Sequence, residues 1–282
     1  MHSVRPTIAA LVAVLLACAL LCAPPGEFHF AVVGDRTGET VAGVYPQIWQ
    51  ELANEHPAFA IAVGDSIQGA EDGQAEAQWR EVERIWARYR AIPLYLTPGN
   101  HDIWSPLSER LFAQRAGHPP RYSCDKGAAH FTVLDNSRTE ELAPEELAFL
   151  EEDLKAHATA PLKFITMHRP SWILAVAMRN SDFPLHRLAR RYGVQYVIAG
   201  HIHQMLRFDL DGVTYVSMAS AGGHLRANRE YASGWFFGHG LVSVKDGAVA
   251  AFEIHEAQAP HGQGRTTSLS DWGMLGLEAK RQ

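Results

Sequence analysis

Apolar positions along the chain follow two alternating rhythms. Phe28–Gly34 (FHFAVVG) is an apolar run of strand length that ends at Gly-Asp. Val44–Glu55 follows with helical spacing through Ile48, Leu52 and Ala53. Phe59–Gly64 (FAIAVG) is a second strand, again ending at Gly-Asp, and Ala75–Tyr89 places Trp79, Val82, Ile85 and Trp86 on one helical face. Ile92–Thr97 is a third strand running into Pro98-Gly99-Asn100-His101-Asp102. This β-α-β-α-β order predicts parallel strands joined by crossover helices.

The second half is more mixed. His130–Leu134 and Phe164–Met167 read as strands separated by an acidic helix from Pro144 to Ala156. Leu185–Tyr192 is a short helix, and Val194–Ala199 is an apolar strand ending at Gly200. Met205–Leu210, Val213–Met218 and Gly240–Glu253 carry turns at Asp211-Gly212 and Asp246-Gly247, which predict antiparallel pairing. From Ala257 onward the polar, Gly-containing sequence has no periodicity and is expected to be a loose tail.

Composition adds bounds rather than detail. A chain of 282 residues, 47% hydrophobic and with seven Trp, has the length of one larger α/β domain and can bury a sizeable core. The net charge of −6, without a block of like charge, disfavours a nucleic-acid partner. At the N-terminus Arg5 precedes an unbroken apolar stretch from Ile8 to Leu21, broken by Pro24-Pro25-Gly26. That stretch is short for a stable anchor and reads as an export signal. Leu15-Leu16-Ala17-Cys18 resembles a lipoprotein cleavage box that would leave Cys18 lipidated and membrane-associated; Ala17-Cys18-Ala19 suits a conventional signal peptidase equally. The expected organisation is a signal and tether over 1–26, one domain over 27–256 and the tail over 257–282, with the protein periplasmic, membrane-anchored or secreted. Cys124 is the single body cysteine, which excludes an internal disulfide and a Cys-x-x-Cys metal site and suggests a small buried residue.

The polar residues that carry chemistry gather at strand ends. Asp35 ends the first strand, Asp65 the second, and Asn100-His101-Asp102 follow the third. His168 ends the Phe164 strand, and His201-Ile202-His203 follow the strand from Val194. Ligands of parallel sheets bind at the carboxyl edge, so these distant residues can converge there. Oxygen and imidazole donors without thiolate suit Mn, Fe, Zn or similar divalent ions. Each piece alone is weak: a Gly-Asp is common in turns, and His-x-His on a strand is more often a surface pair. Their order and placement together outweigh the structural alternative.

Gly34-Asp35, Gly64-Asp65, Gly99-Asn100-His101-Asp102, His168 in MHRP and Gly200-His201-Ile202-His203 resemble the five motifs of the calcineurin-like metallophosphoesterases. The likeness covers about Phe28 to Glu253 and implies an α/β fold of two packed mixed sheets flanked by helices. It implies Asp35 and His203 on a first divalent ion, Asn100, His168 and His201 on a second, and Asp65 bridging the two. It also implies hydrolysis of a phosphate ester by a hydroxide shared between the ions. His101 would protonate the leaving group or stabilise the phosphoryl oxygens, Asp102 would orient His101 or close the loop, and Asn100 would also meet substrate.

One departure stands out. The family's first motif is usually Asp-x-His, and here it is Asp35-Arg36-Thr37. Purple acid phosphatases replace that His with a Tyr three residues after the bridging Asp, a position held here by Gln68. Thr37, Gln68 or water would have to supply the missing donor. Arg36 either offers its guanidinium to the substrate phosphate or braces the loop against a carboxylate. His224 is read as a loop residue and His130 as structural. The expected substrate is a phosphorylated small molecule or envelope component, monoester or diester. A degenerate metal- or phosphate-binding module without turnover is the alternative, motivated by Thr37.

Overall fold

The first strand shows how the layers arise. The computed structural model describes residues 26–227 and 230–278, and in it β1 (Phe28–Val33) turns Phe30 and Val32 one way and Ala31 and Val33 the other. A strand covered on both faces needs apolar side chains on each, which is why this run does not alternate with polar residues. Phe30 and Val32 join the core between two sheets, and Ala31 and Val33 join a second core beneath helices.

From β1 the chain continues through α1 (Val44–Glu55), β2 (Ala60–Ala62), α2 (Asp72–Trp86), β3 (Leu94–Leu96) and α3 (Pro106–Ala116). A second series follows: β4 (Tyr122–Lys126), β5 (Ala129–Val133), α4 (Pro144–Ala156), β6 (Leu162–Thr166), α5 (Ile173–Ala177), α6 (Pro184–Arg191) and β7 (Tyr196–Ala199). Then come β8 (Leu206–Leu210), β9 (Val213–Ser217), β10 (Gly238–Lys245), β11 (Ala248–Glu256), β12 (Thr266–Ser268) and a small hairpin of β13 (Trp272–Gly273) and β14 (Gly276–Leu277).

Two mixed six-stranded sheets result, ordered β12-β11-β10-β1-β2-β3 and β4-β5-β6-β7-β9-β8. Strands β1, β2 and β3 are parallel, as are β5, β6, β7 and β9. The turns at Asp211-Gly212 and Asp246-Gly247 close antiparallel pairs, β8 with β9 and β10 with β11. Between the sheets Phe30 stacks on Phe59 at 5.1 Å and Phe131 on Phe164 at 4.8 Å, and Phe30 meets Phe164 edge-on at 5.4 Å. Helices α1 to α3 cover the outer face of the first sheet through Ile48, Trp49, Trp79 and Phe112. Helices α4 to α6 cover the second through Leu150, Leu154, Val176 and Leu185.

Helices α1 and α4 occupy the spans their periodicity predicts. Helix α3 and strand β4 do not announce themselves in the same way. Helix α3 is marked by its start: Ser105 accepts the Ser108 amide at 3.1 Å and Pro106 fills the first turn. Strand β4 (YSCDK) is a half-buried edge, so no alternation exposes it, and its Cys124 is half-buried rather than buried. Burial raises the Cys124 thiol pKa against the pull of Lys126, which disfavours the thiolate. The expected signal and Cys18 lie outside the described residues; among those described, no helix is long and apolar enough to cross a membrane.

The expectation of a loose tail after Ala257 is corrected. β12 pairs with β11 through Glu253↔Ser268, and Leu269 and Trp272 enter the core between the sheets. The indole of Trp272 lies 5.5 Å from both Tyr231 and Phe236, and its Nε1 donates to Thr267 at 2.9 Å. The few apolar residues of this polar run carry no period, yet Leu269 and Trp272 close the open edge of the core. Trp272→Ala is expected to cost about 3–5 kcal/mol, read as a lowered denaturant midpoint; a change under about 1 kcal/mol would mean the segment is dispensable.

The far end of α1 is tied to the first sheet. The Glu55 carboxylate accepts from His239 Nε2 at 3.0 Å and His255 Nδ1 at 2.7 Å. Burial would raise its pKa, but the two imidazoles outweigh this and hold it at about 2.

Candidate active site

Four strands of the two sheets deliver their carboxyl ends to one place. Asp35 follows β1, Asp65 follows β2, His168 follows β6 and His201 follows β7, while Asn100 lies on the loop after β3. The chain bends sharply there: Asp65, His201 and His203 have φ of 55°, 72° and 62°. Left-handed backbone in non-Gly residues costs about 1–3 kcal/mol each and persists only where the surroundings demand it.

Two glycines show how tight the approach is. A Cβ on Gly64 (φ 108°) would fall 2.3 Å from His168 Nδ1, and one on Gly200 would fall 2.2 Å from Asp35 Oδ1. Neither position admits a side chain without displacing a candidate ligand.

The donor atoms form two groups. In the first, His168 Nε2 lies 3.2 Å from Asp65 Oδ2, 3.0 Å from Asn100 Oδ1 and 3.2 Å from His201 Nδ1. His168 Nδ1 donates to the Val63 carbonyl at 2.9 Å, which aims Nε2 at the cluster. In the second group, His203 Nε2 faces Asp35 Oδ2 at 3.2 Å, and its Nδ1 donates to the His224 carbonyl at 2.6 Å. Asp35 also accepts the His201 amide, at 3.0 and 2.9 Å on its two oxygens. Thus six residues expected as ligands (Asp35, Asp65, Asn100, His168, His201, His203) are brought together, and His201 and His203 face different groups.

Their chemistry fits divalent cations. Asp65, His168 and His201 hold ligand atoms within 4.8 Å of one another. His203 Nε2 is buried and meets only the Asp35 carboxylate, at 3.2 Å and without hydrogen-bond geometry, which leaves the nitrogen for a ligand shared with Asp35. Electrostatics agree. Burial opposes charge on Asp65, yet the imidazolium of His168 holds its carboxyl at about 2. Burial likewise lowers His168, but Asp65 raises it to about 9. Burial and the His168 charge together press His201 down to about 4. His168 and His201 would hold a cation through neutral imidazoles, so uptake would release the His168 proton.

The residues expected around the ligands separate into those near the cluster and those turned from it. His101 Nδ1 donates to the Gln68 carbonyl at 2.5 Å, its amide binds Asp65 Oδ1 at 2.9 Å, and Nε2 stands 4.0 Å from Asp65 Oδ2. With Nδ1 committed, Nε2 is the nitrogen left for proton transfer.

Of the two roles expected of Asp102, the structure shows loop closure and not a bond to the His101 ring. Asp102 is fully buried and accepts the amides of Ser66 at 2.8 Å, Ile67 at 3.2 Å and Gly99 at 2.9 Å. Burial and the Asp65 charge push its carboxyl up to about 7 despite those bonds. Its place is to join the Asp65 loop to the His101 loop.

Arg36 likewise takes the second of its two expected roles, and its place as a substrate-binding residue is corrected. Its guanidinium bonds the Ser66 carbonyl at 3.0 Å and pairs with Glu81 of α2, beside the Tyr45 ring. It is 5% exposed and braces the loop instead of reaching substrate. Thr37 donates to the Gln68 side-chain oxygen, which also accepts the Glu39 amide, so both candidates for the missing donor are bonded to each other. His130 is held between Asp125 and Asp153 on the second sheet.

Gln68, expected only as a candidate for the missing donor, orients His101 through its backbone carbonyl. Two contributors escape sequence reasoning: Glu81 holds Arg36, and Arg226 donates to the His201 carbonyl at 2.8 Å. Nothing in their local sequence distinguishes them from surface polar residues.

Comparison with known proteins follows this geometry. Residues 28–205 match the family described as calcineurin-like phosphoesterase. The chain is 28% identical over 195 residues to the 3′,5′-cyclic adenosine monophosphate phosphodiesterase CpdA of Escherichia coli K12, covering 65% of this chain and 67% of that one. It is 29% identical over 139 residues to the 3′,5′-cyclic-nucleotide phosphodiesterase alr5338 of Nostoc sp., covering 46% of this chain and 51% of that one. A purple acid phosphatase from yellow lupin (Lupinus luteus) seeds superposes with a TM-score of 0.62 at 16% identity, covering 92% of this chain and 58% of that one. At that identity the likeness concerns the fold.

Proposed function

The chain belongs to the calcineurin-like phosphoesterase family and is a phosphoric ester hydrolase, and from that premise we propose that it is a phosphodiesterase working with two divalent ions. The observation that carries the two-ion reading is the division of six donors into two groups, one around His168 Nε2 and one between Asp35 and His203. Asp65, Asn100, His168 and His201 would hold one ion, Asp35 and His203 the other, with Asp65 shared. When bound, such ions polarise phosphoryl oxygens and lower the pKa of water.

The protein's own residues supply the rest. Water adds to phosphorus as the ester P–O bond breaks and releases one proton to solvent; the leaving oxygen takes a proton from His101 Nε2, which solvent then returns to the imidazole. Asp102 and Arg36 keep the two loops in register, and Arg226 steadies the turn that carries His201. A diester, with a cyclic nucleotide as the leading candidate, is favoured by the substrates named for the bacterial relatives. Export through the Ile8–Leu21 segment is proposed from sequence alone.

The test uses metal-stripped protein supplied singly with Mn, Fe, Zn, Ni or Mg. Diester hydrolysis, with cyclic AMP beside chromogenic diester and monoester, is expected to return with at least one ion. A monoester preference would overturn the diester reading. Metal uptake without turnover on any substrate would favour the binding module motivated by Thr37.

A further inference from the structure

We propose that Glu55, His239 and His255 form a separate cation site that takes one zinc ion and clamps α1 to the first sheet. The three residues come from α1, β10 and β11, and none belongs to the donor groups described above. His239 and His255 stand directly opposite one another on antiparallel strands, so their rings rise from the same face. Their centroids are 5.1 Å apart. The Glu55 carboxylate lies across both, 3.0 Å from His239 Nε2 and 2.7 Å from His255 Nδ1.

All three donors lie within 4.8 Å of one another. Tetrahedral zinc holds N and O ligands about 2.0–2.2 Å from the ion, so its donors stand roughly 3.4 Å apart. The hydrogen-bonded contacts of 3.0 Å and 2.7 Å therefore need to open by about 0.4 Å and 0.7 Å. Two imidazoles and one carboxylate are a zinc donor set. Glu55 and His255 are each 19% exposed, which leaves a path for the ion and a coordination position for water; His239 is 1% exposed.

An independent feature is found on the outer side of His255. Its Nε2 is buried without a hydrogen-bond partner, and Glu253 Oε2 stands 3.8 Å away. When a histidine ligates through Nδ1, its other nitrogen carries the proton and turns it toward such a carboxylate. The cluster of His130, Asp125 and His157 also brings its donors within 4.8 Å, but both nitrogens of His130 are already bonded to carboxylates, Asp125 and Asp153, and its ring stacks on His157 at 3.8 Å. In the proposed site the clamp would hold β10 at His239, the residue paired with Val33 just before Asp35.

The experiment is zinc titration of metal-stripped full-length protein by calorimetry, with bound zinc counted by elemental analysis. Wild type is expected to hold one zinc equivalent more than His239→Ala or His255→Gln, and to gain thermal stability from zinc that His255→Gln does not gain. Equal stoichiometry in folded variants overturns the site. Crystals of wild-type protein soaked in zinc give a second measurement that needs no variant: an anomalous peak between the three side chains is expected, and its absence overturns the proposal. The site is judged apart from hydrolysis, since both variants are expected to keep Mn-restored turnover within about twofold of wild type.

Discussion

Asp65→Asn is expected to reduce metal-restored hydrolysis by more than about 10³-fold and to lower the metal bound per chain. Asp65 is 2% exposed, and its Oδ2 is 3.2 Å from His168 Nε2, where the larger donor group converges. The substitution keeps size and an oxygen that can accept the His101 amide. Asn also tolerates the left-handed backbone (φ 55°) that the position requires. What disappears is the negative charge that, in the proposed two-ion reading, would attract a cation and be shared between the two. Circular dichroism should remain that of the wild type, so lost activity reflects the site and not the fold. Full activity with unchanged metal content would remove Asp65 from the centre.

His101→Gln is expected to lower turnover by about 10²–10⁴-fold while metal content stays at the wild-type level. The imidazole is not among the converging donors: Nδ1 is bonded to Gln68, and Nε2 remains 4.0 Å from Asp65. Its backbone bond to Asp65 survives the change. If His101 donates a proton, the loss should be steep for alkoxide leaving groups and shallow for nitrophenolate, which needs no acid. An equal loss on both would assign His101 to phosphoryl-oxygen stabilisation instead. Loss of metal along with activity would make it a structural prop.

Arg36 and Asp102 show why neighbouring motif residues divided so differently. Both stand beside ligands in the sequence, and both have charges that suit substrate or proton transfer. Glu81 lies 45 residues from Arg36 and meets it only because α2 packs over the Asp35 loop. Asp102 meets three amides from two loops, and the two loops are adjacent only because β2 and β3 pair in parallel. Such partners follow from packing, which local sequence does not encode.

The C-terminal segment gives the opposite case. Its residues look like solvent-exposed chain because the few apolar ones follow no period: Leu269 and Trp272 are buried while the neighbouring Met274 and Leu275 are exposed. Their burial depends on an open edge of the core that Tyr231 and Phe236 also line. Periodicity reports a repeating face, and a two-residue plug has none.

By itself, the sequence determined the alternation of strands and helices, the two-sided burial of the parallel strands, and the ordered donors at strand ends from Asp35 to His203. These follow from side-chain period and from the rule that parallel sheets expose chemistry at one edge. Tertiary structure alone decided that Arg36 is a brace, that Asp102 is a clasp, that Thr37 is spent on Gln68, and that Glu55 meets two histidines from a distant hairpin. The physical reason is that a polar side chain takes the nearest partner once water is excluded, and burial in the packed fold determines which partner that is.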